Sequence, residues 1–368
     1  LVLAYVNSNQ GISLSSWDPS SDTLGQWSAP QTVDLGTAST TPNTALAPLL
    51  LNQGTELALY WVDQASSAIT AATTTSPMQA TGWSPATTLS TSATGTPILS
   101  ATALAGTMLQ GTPVLAYGQT SGSNDLSSIA LISPDSGGVL WEQRDALALT
   151  GSVPSNAPGL AATGTGLALT YTNGDNQVVV NQLRLLEPAA DSANWLINSN
   201  PQWQSSTVAG VSSSLGSAPV VVNDLLLVGT VDTNQAVGLQ AVSSSDAVPW
   251  LSWMDSTVQL PDGNGGFILS QRAGAANSVG GLTPGNWNDY LNAAGDANGV
   301  GASLGTPSVV RDGSNVYMAV QSGPGNTSNY IYWNSSADDG TTWAGWQALP
   351  TGMTTEKPPS LAVLDGTL

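Results

Sequence analysis

Two stretches at opposite ends of the chain decide the fold: Lys357–Leu368, KPPSLAVLDGTL, and Leu1–Asp18, LVLAYVNSNQGISLSSWD. The first reads as a strand and a turn with nothing after it. The second reads as two strands with nothing before them. Joined tail to head they give PSLAVLDGTL-LVLAYV, a unit that recurs intact inside the chain. It appears as APLLLNQGTELALYWV (Ala47–Val62), APGLAATGTGLALTY (Ala157–Tyr171), APVVVNDLLLVGTV (Ala218–Val231) and TPSVVRDGSNVYMAV (Thr306–Val320). A looser copy with an insertion runs from Thr96 to Tyr117. A repeat split between the two termini is explained by a closed ring and not by an open array.

The marker prolines are Pro48, Pro97, Pro158, Pro219, Pro307 and Pro359. Propeller blades of four short strands need about 40–50 residues, so six blades with loop insertions account for the chain. The expectation is an all-β fold, a single β-propeller over residues 1–368. Its blades fall at about 359–368 plus 1–40, 41–90, 91–150, 151–210, 211–262 and 305–352, with an insertion at 263–304. Seven blades is the alternative, should the insertion be a worn blade. Alternation of apolar residues in Leu57, Leu59, Trp61 and in Val316, Met318, Val320 gives short strands whose faces pack blade on blade.

Each repeat closes with a Ser/Asp-rich turn followed by Trp, and one copy is complete: Ser336-Ala-Asp338-Asp-Gly340-Thr-Thr342-Trp343. Hydroxyls and a carboxylate can bond to backbone amides within such a turn, and Gly340 can take a positive φ. This turn resembles the Asp box of the sialidase superfamily, the bacterial neuraminidase repeat. Worn versions surround Trp141 and Trp250. The resemblance implies a propeller blade with a structural turn whose Trp343 ring lies within the blade. It does not imply catalysis, since the box also occurs in members without activity. The superfamily's catalytic members use three arginines, and one belongs to an Arg-Ile-Pro motif absent here. Arg144, Arg184, Arg272 and Arg311 read as surface residues.

Composition narrows the chemistry. Five basic residues against 24 acidic ones give a net charge of −19, which repels nucleic acid and anionic membranes. Of the acids 20 are Asp, a turn former, which puts most of the charge on loops. There is no Cys and no His, so thiolate and imidazole metal sites and the mechanisms that need those groups are excluded. No apolar run approaches the roughly 20 residues that span a bilayer. The short apolar start lacks the basic flank of a signal peptide, so the chain reads as mature or as cut from something longer. An exported or cell-surface location fits the lack of Cys.

Three groups of residues are candidates for function. A glycosidase needs a carboxylate pair about 5 Å or 6.5–9.5 Å apart, and the scarce Glu56, Glu142, Glu187 and Glu356 are considered with the many Asp. Among the Trp, the repeated positions (Trp27, Trp83, Trp141, Trp195, Trp250, Trp343) read as blade core. Trp17, Trp61, Trp287 and Trp333 fall outside that register and are expected to be more exposed. The glycine-rich insertion carries Asn286, Trp287, Asp289 and Tyr290, a set suited to a polar or saccharide ligand. Its structural reading is an outer strand, Phe267 to Gln271, plus a mobile loop. No cofactor is expected; a structural calcium at Asp262–Asn264 or Asp175–Asn176 has only weak support without an EF-hand ladder. The leading expectation is a non-catalytic extracellular or cell-surface module acting in glycan binding, adhesion or surface structure, with glycans or other surface proteins as partners. A glycoside hydrolase with a carboxylate pair in the axial cleft is the alternative.

Overall fold

A computed structural model describes residues 1–18, 26–35, 46–91, 95–120, 125–135, 138, 140–163, 166–184, 203–222, 225–231, 237–242, 303–322, 329–338, 343–350 and 353–364, with the backbone of 259–261 and 267–269. Every regular element among them is a strand. Blade 1 contains β1 (Val2–Val6), β2 (Ile12–Asp18), β3 (Gln26–Trp27) and β4 (Gln31–Thr32). Blade 2 contains β5 (Leu49–Asn52), β6 (Leu57–Val62), β7 (Ile69–Thr74) and β8 (Thr87–Thr88). Blade 3 is β9 (Ala105–Leu109), β10 (Thr112–Thr120), β11 (Leu126–Pro134) and β12 (Trp141–Ala148). Blade 4 is β13 (Gly159–Thr163), β14 (Gly166–Thr172), β15 (Gln177–Arg184) and β16 (Trp203–Ser212). Blade 5 shows β17 (Ala218–Val222), β18 (Leu225–Val231) and β19 (Val237–Val242), and a separate pair, β20 (Gln259–Pro261) and β21 (Phe267–Leu269), follows. Blade 6 is β22 (Ser308–Asp312), β23 (Asn315–Gln321), β24 (Ile331–Ser336) and β25 (Gln347–Ala348). The last strand, β26 (Ser360–Ala362), returns to blade 1.

The closure read from the two termini is present. β26 pairs antiparallel with β1 in the register Val2↔Ala362, Leu3↔Leu361 and Ala4↔Ser360, and becomes the innermost strand of blade 1. The six innermost strands (β26, β5, β9, β13, β17 and β22) each touch the next around the axis. β17 meets β22 directly, so the β20–β21 pair does not enter the ring as a seventh blade. The molecule is a β-propeller with six blades.

The central strands show why the sequence makes this fold. All six residues of β6 are buried. Leu57, Leu59 and Trp61 pack in the core between blades 1 and 2, while Ala58, Tyr60 and Val62 pack in the core between blades 2 and 3. β23 divides likewise: Val316, Met318 and Val320 face blade 5, and Tyr317 and Ala319 face blade 1. A strand with a neighbouring blade on each face has no solvent side, so both halves of its alternation are apolar.

That packing corrects the expectation for three tryptophans. Trp61 is 1% exposed and Trp333 5%. Trp17 packs between blades 6 and 1 at 5.1 Å from Trp333 and 5.8 Å from Tyr317, and Trp27 stands edge-on to Trp333 at 5.6 Å. None is a free stacking platform. Pro97 also departs from the repeat: it pairs with Ser90 in an isolated bridge, and the inner strand of blade 3 begins later, at Ala105.

One edge of each innermost strand has no sheet partner, and buried N–H groups there need acceptors. At three of the six interfaces a hydroxyl of the preceding blade supplies one. Leu50 N donates to Ser360 Oγ (3.0 Å), Leu361 N to Ser308 Oγ (2.9 Å) and Ala162 N to Thr107 Oγ1 (3.1 Å).

Candidate ligand-binding site

The six innermost strands enclose an axial cavity of about 710 Å3. Its walls are mainly the aliphatic side chains that open each repeat. Starts of neighbouring inner strands lie side by side: Gly305 abuts Pro358, Gly216 abuts Thr306, and Gly159 abuts Pro219. One mouth of the cavity is therefore formed by the segments that lead into these strands, including Asn156, Leu304, Glu356 and Lys357. The residues four positions after the marker proline line the other end, among them Asn52 and Arg311.

Two kinds of local turn lie on the same side of the ring as the first mouth. Before several inner strands a buried hydroxyl folds the chain back on itself. Thr355 Oγ1 donates to Lys357 O (2.6 Å) and accepts from Lys357 N (3.2 Å). Ser303 does the same with Gly305, and Ser100 with Thr102. The same Thr355 Oγ1 proton is shared with Val6 O (3.1 Å), a contact that ties the closing strand to blade 1. Between second and third strands an Asn or Asp caps a tight loop. Asn7 Oδ1 accepts from Asn9 N and Gly11 N; Asp63 Oδ1 from Ala65 N and Ser66 N; Asn173 Oδ1 from Asp175 N and Gln177 N. Each loop then needs a left-handed residue, supplied by Gln10 (φ 63°), Ser67 (φ 59°) and Asn176 (φ 59°). The oxygens of these side chains serve the backbone. The motif reads Val-Asn, Val-Asp and Thr-Asn at the ends of β1, β6 and β14, a signal in the sequence that the proline pattern overshadows.

Glu356 is the single carboxylate among the described residues that line the cavity, and its Oε1 accepts from Asn329 Nδ2 at 3.3 Å. The described lining thus lacks a facing carboxylate pair. Glu56 is exposed in the turn between β5 and β6 and is not part of the cavity lining, and Glu142 lies on the outer strand β12, far from the axis in the blade order. No group of three or more acidic side chains able to hold a metal occurs among the described residues. Arg144 is not a surface residue: it is 8% exposed, and its guanidinium donates to Ser133 Oγ (2.7 Å), Pro134 O (2.8 Å) and Glu142. This clamp holds the outer strand of blade 3. Arg311 is half-buried in β22 and faces the cavity.

In the Asp-box turn, Ser336 is buried at the end of β24 and its Oγ donates to Asp338 Oδ1 (2.8 Å). Asn334 Oδ1 accepts from Ser335 N and Gly345 N and so spans the turn (2.8 and 2.9 Å). Trp343 is half-buried against the core between blades 5 and 6. Gly340 and Thr342 lie outside the described residues, as do Asn286, Trp287, Asp289, Tyr290, Trp195, Trp250, Arg272, Glu187 and Asp262–Asn264. What the structure gives is the destination of the insertion. It leads into Leu304, Gly305 and Thr306, which line the cavity, and Leu304 is 43% exposed.

Four tyrosines on the second strands of their blades ionise less readily than a free phenol. Burial raises the pKa of Tyr60, whose hydroxyl accepts from Gln53 Nε2 at 2.7 Å, and also those of Tyr5, Tyr117 and Tyr171.

No family model matches the chain, and no curated protein matches it. Solved structures do. The fucose-specific lectin from Aleuria aurantia aligns with a TM-score of 0.54 at 15% identity, over 96% of this chain and 91% of the lectin. A second structure of that fungal lectin, described as a six-bladed β-propeller with a novel mode of fucose recognition, gives a TM-score of 0.50 at 14% identity, covering 96% and 95%. AofleA from Arthrobotrys oligospora, in a mutant with three arginines replaced by alanine, gives 0.55 at 11% identity, covering 99% and 86%. At such identities the likeness is one of fold, and it establishes that this chain is built as a whole six-bladed ring.

Proposed function

We propose that this protein is a non-catalytic glycan-binding propeller, acting outside the cell or on its surface in recognition or adhesion, and working without a cofactor. The observation that carries the reading is the alignment of almost the entire chain with fucose-binding propellers. The axial cavity supports it, because the described lining offers one carboxylate where a hydrolase working by general acid and base needs two. The net charge of −19 disfavours nucleic acid as the partner. The turn at Ser336–Trp343 is read as a sialidase-type Asp box kept for its geometry.

The ligand site is assigned to the mouth of the cavity reached by the insertion. Trp287 serves there as the stacking platform, with Asn286, Asp289 and Tyr290 bonding to hydroxyls. A glycan array read with the wild-type protein tests the proposal, followed by Trp287→Ala on the best ligand. The variant is expected to bind more weakly by about 1–3 kcal/mol, the scale of a buried aromatic anchor, with an unchanged melting temperature. An array without a single binder, or turnover of a glycan by the purified protein, refutes the proposal.

A further inference from the structure

The axial cavity differs in charge from the rest of the molecule. Five basic residues occur in the chain, and two of them, Arg311 and Lys357, line the cavity. Of the 24 acidic residues one, Glu356, does so among the described residues, and it is turned to Asn329. A protein of net charge −19 thus surrounds a cavity whose described lining is of positive balance.

The two cations sit at different depths. Lys357 stands two residues before its marker proline, at the mouth; Arg311 stands four residues after its own. Six residues of extended chain at about 3.3 Å each separate these levels by at most about 20 Å. Between them the wall is aliphatic, with hydroxyls of a particular kind. Thr107, Ser308 and Ser360 line the cavity, and each accepts a backbone N–H from the next blade. A hydroxyl whose oxygen is engaged in that way still has its proton to donate. The cavity therefore presents donors and cations at intervals along an apolar tube, and its volume of about 710 Å3 suits a ligand longer than one small ring.

We infer that the axial cavity takes a short acidic oligosaccharide, lying along the axis with carboxylate or sulfate groups toward Arg311 and Lys357. The inference rests on the glycan-binding reading and narrows it to anionic glycans in this cavity. Apolar ring faces lie on the aliphatic wall, and ring and glycosidic oxygens accept from the wall hydroxyls. At physiological salt the Debye length is about 8 Å, so the acidic outer surface is largely screened from a ligand on the axis.

Titration calorimetry with tetragalacturonate, and with maltotetraose as the neutral counterpart, tests this at physiological salt. Tetragalacturonate is expected to bind and maltotetraose to bind far more weakly. Arg311→Gln and Lys357→Gln should each weaken tetragalacturonate binding about tenfold, the scale of a hydrogen bond to a charged group. The double variant should show the product of the two effects if the two cations meet separate acidic groups of the ligand. Lys357 is at the mouth, so its variant remains decisive should Arg311→Gln lower the melting temperature. Equal binding of both tetrasaccharides, or full affinity in Lys357→Gln, overturns the inference. Neutral glycans bound on the array without tetragalacturonate binding overturn it and leave the broader reading standing; no glycan binding at all overturns both.

Discussion

Replacing Ser360 by Ala probes how the ring is held shut. Ser360 is 7% exposed, and its Oγ is the acceptor for the N–H of Leu50, itself 2% exposed, on the adjoining blade. Alanine keeps the backbone and the pairing of β26 with β1 but leaves that N–H buried without a partner. An orphaned buried donor costs about 1–3 kcal/mol. The loss falls on a strand that pairs with β1 through three residues, so local opening of the closure should be promoted before global unfolding. The opened population should rise by about fivefold to 150-fold for that loss. Two measurements check it. Denaturant unfolding gives the change in stability, with the exposed Thr87→Ala as a control expected to stay within about 0.5 kcal/mol. Amide hydrogen exchange at Leu50, Val2 and Ala4 reports the local opening. A Ser360→Ala protein within 0.5 kcal/mol of wild type, with unchanged exchange at Leu50, would refute the account of hydroxyls as seals between blades.

Two further outcomes follow from the packing and the buried tyrosines. Trp61→Ala should destabilise the protein by about 3–5 kcal/mol, since it removes an indole from the core between blades 1 and 2; a loss under 1 kcal/mol in denaturant titration would show that the ring is not packed there. Tyr60 has a pKa raised by burial, so above about pH 10 the unfolded chain releases its proton first and the folded state is penalised as pH rises. Stability should therefore fall by up to about 1.4 kcal/mol for each pH unit above 10 at this position. Tyr60→Phe should lose that part of the alkaline decline, and identical slopes in the two proteins between pH 10 and 11.5 would exclude Tyr60 as a cause.

The ring was legible in the sequence because five of the six blades open with the same event, a proline that ends one connection and an aliphatic run that starts the next strand. The split repeat at the termini carried the closure for the same reason. Pro97 misled because the resemblance was to a residue type, whereas the structural position, just ahead of Ala105, holds no proline. Trp61 and Trp333 were misplaced by comparing them with the turn tryptophans. Their own strands are central and covered on both faces, so register within a turn motif said nothing of their burial. Arg144 looked like a surface residue because its partners, Ser133 and the carbonyl of Pro134, are supplied by β11 across the sheet. Of the candidate site, the importance of the insertion was legible from composition alone. The cavity lining was not: Lys357, Arg311 and Thr107 come from three blades and acquire a common meaning only when the inner strands are set around one axis.

The pairing of β26 with β1 also sets a constraint on the order of events during synthesis. The contact from Leu50 to Ser360 spans 310 residues, and that from Val6 to Thr355 spans 349. Until the last strand leaves the ribosome, β1 has an open edge made of Val2–Val6, all of which are buried in the finished ring. Such an edge is a template for pairing with another chain, and contacts this distant form slowly because loop closure comes before any gain. Blades 2 to 6 can assemble as their strands are made, but blade 1 closes only once β26 has been made. The time for which that one strand stays unpaired is therefore the interval in which the chain is open to pairing with another.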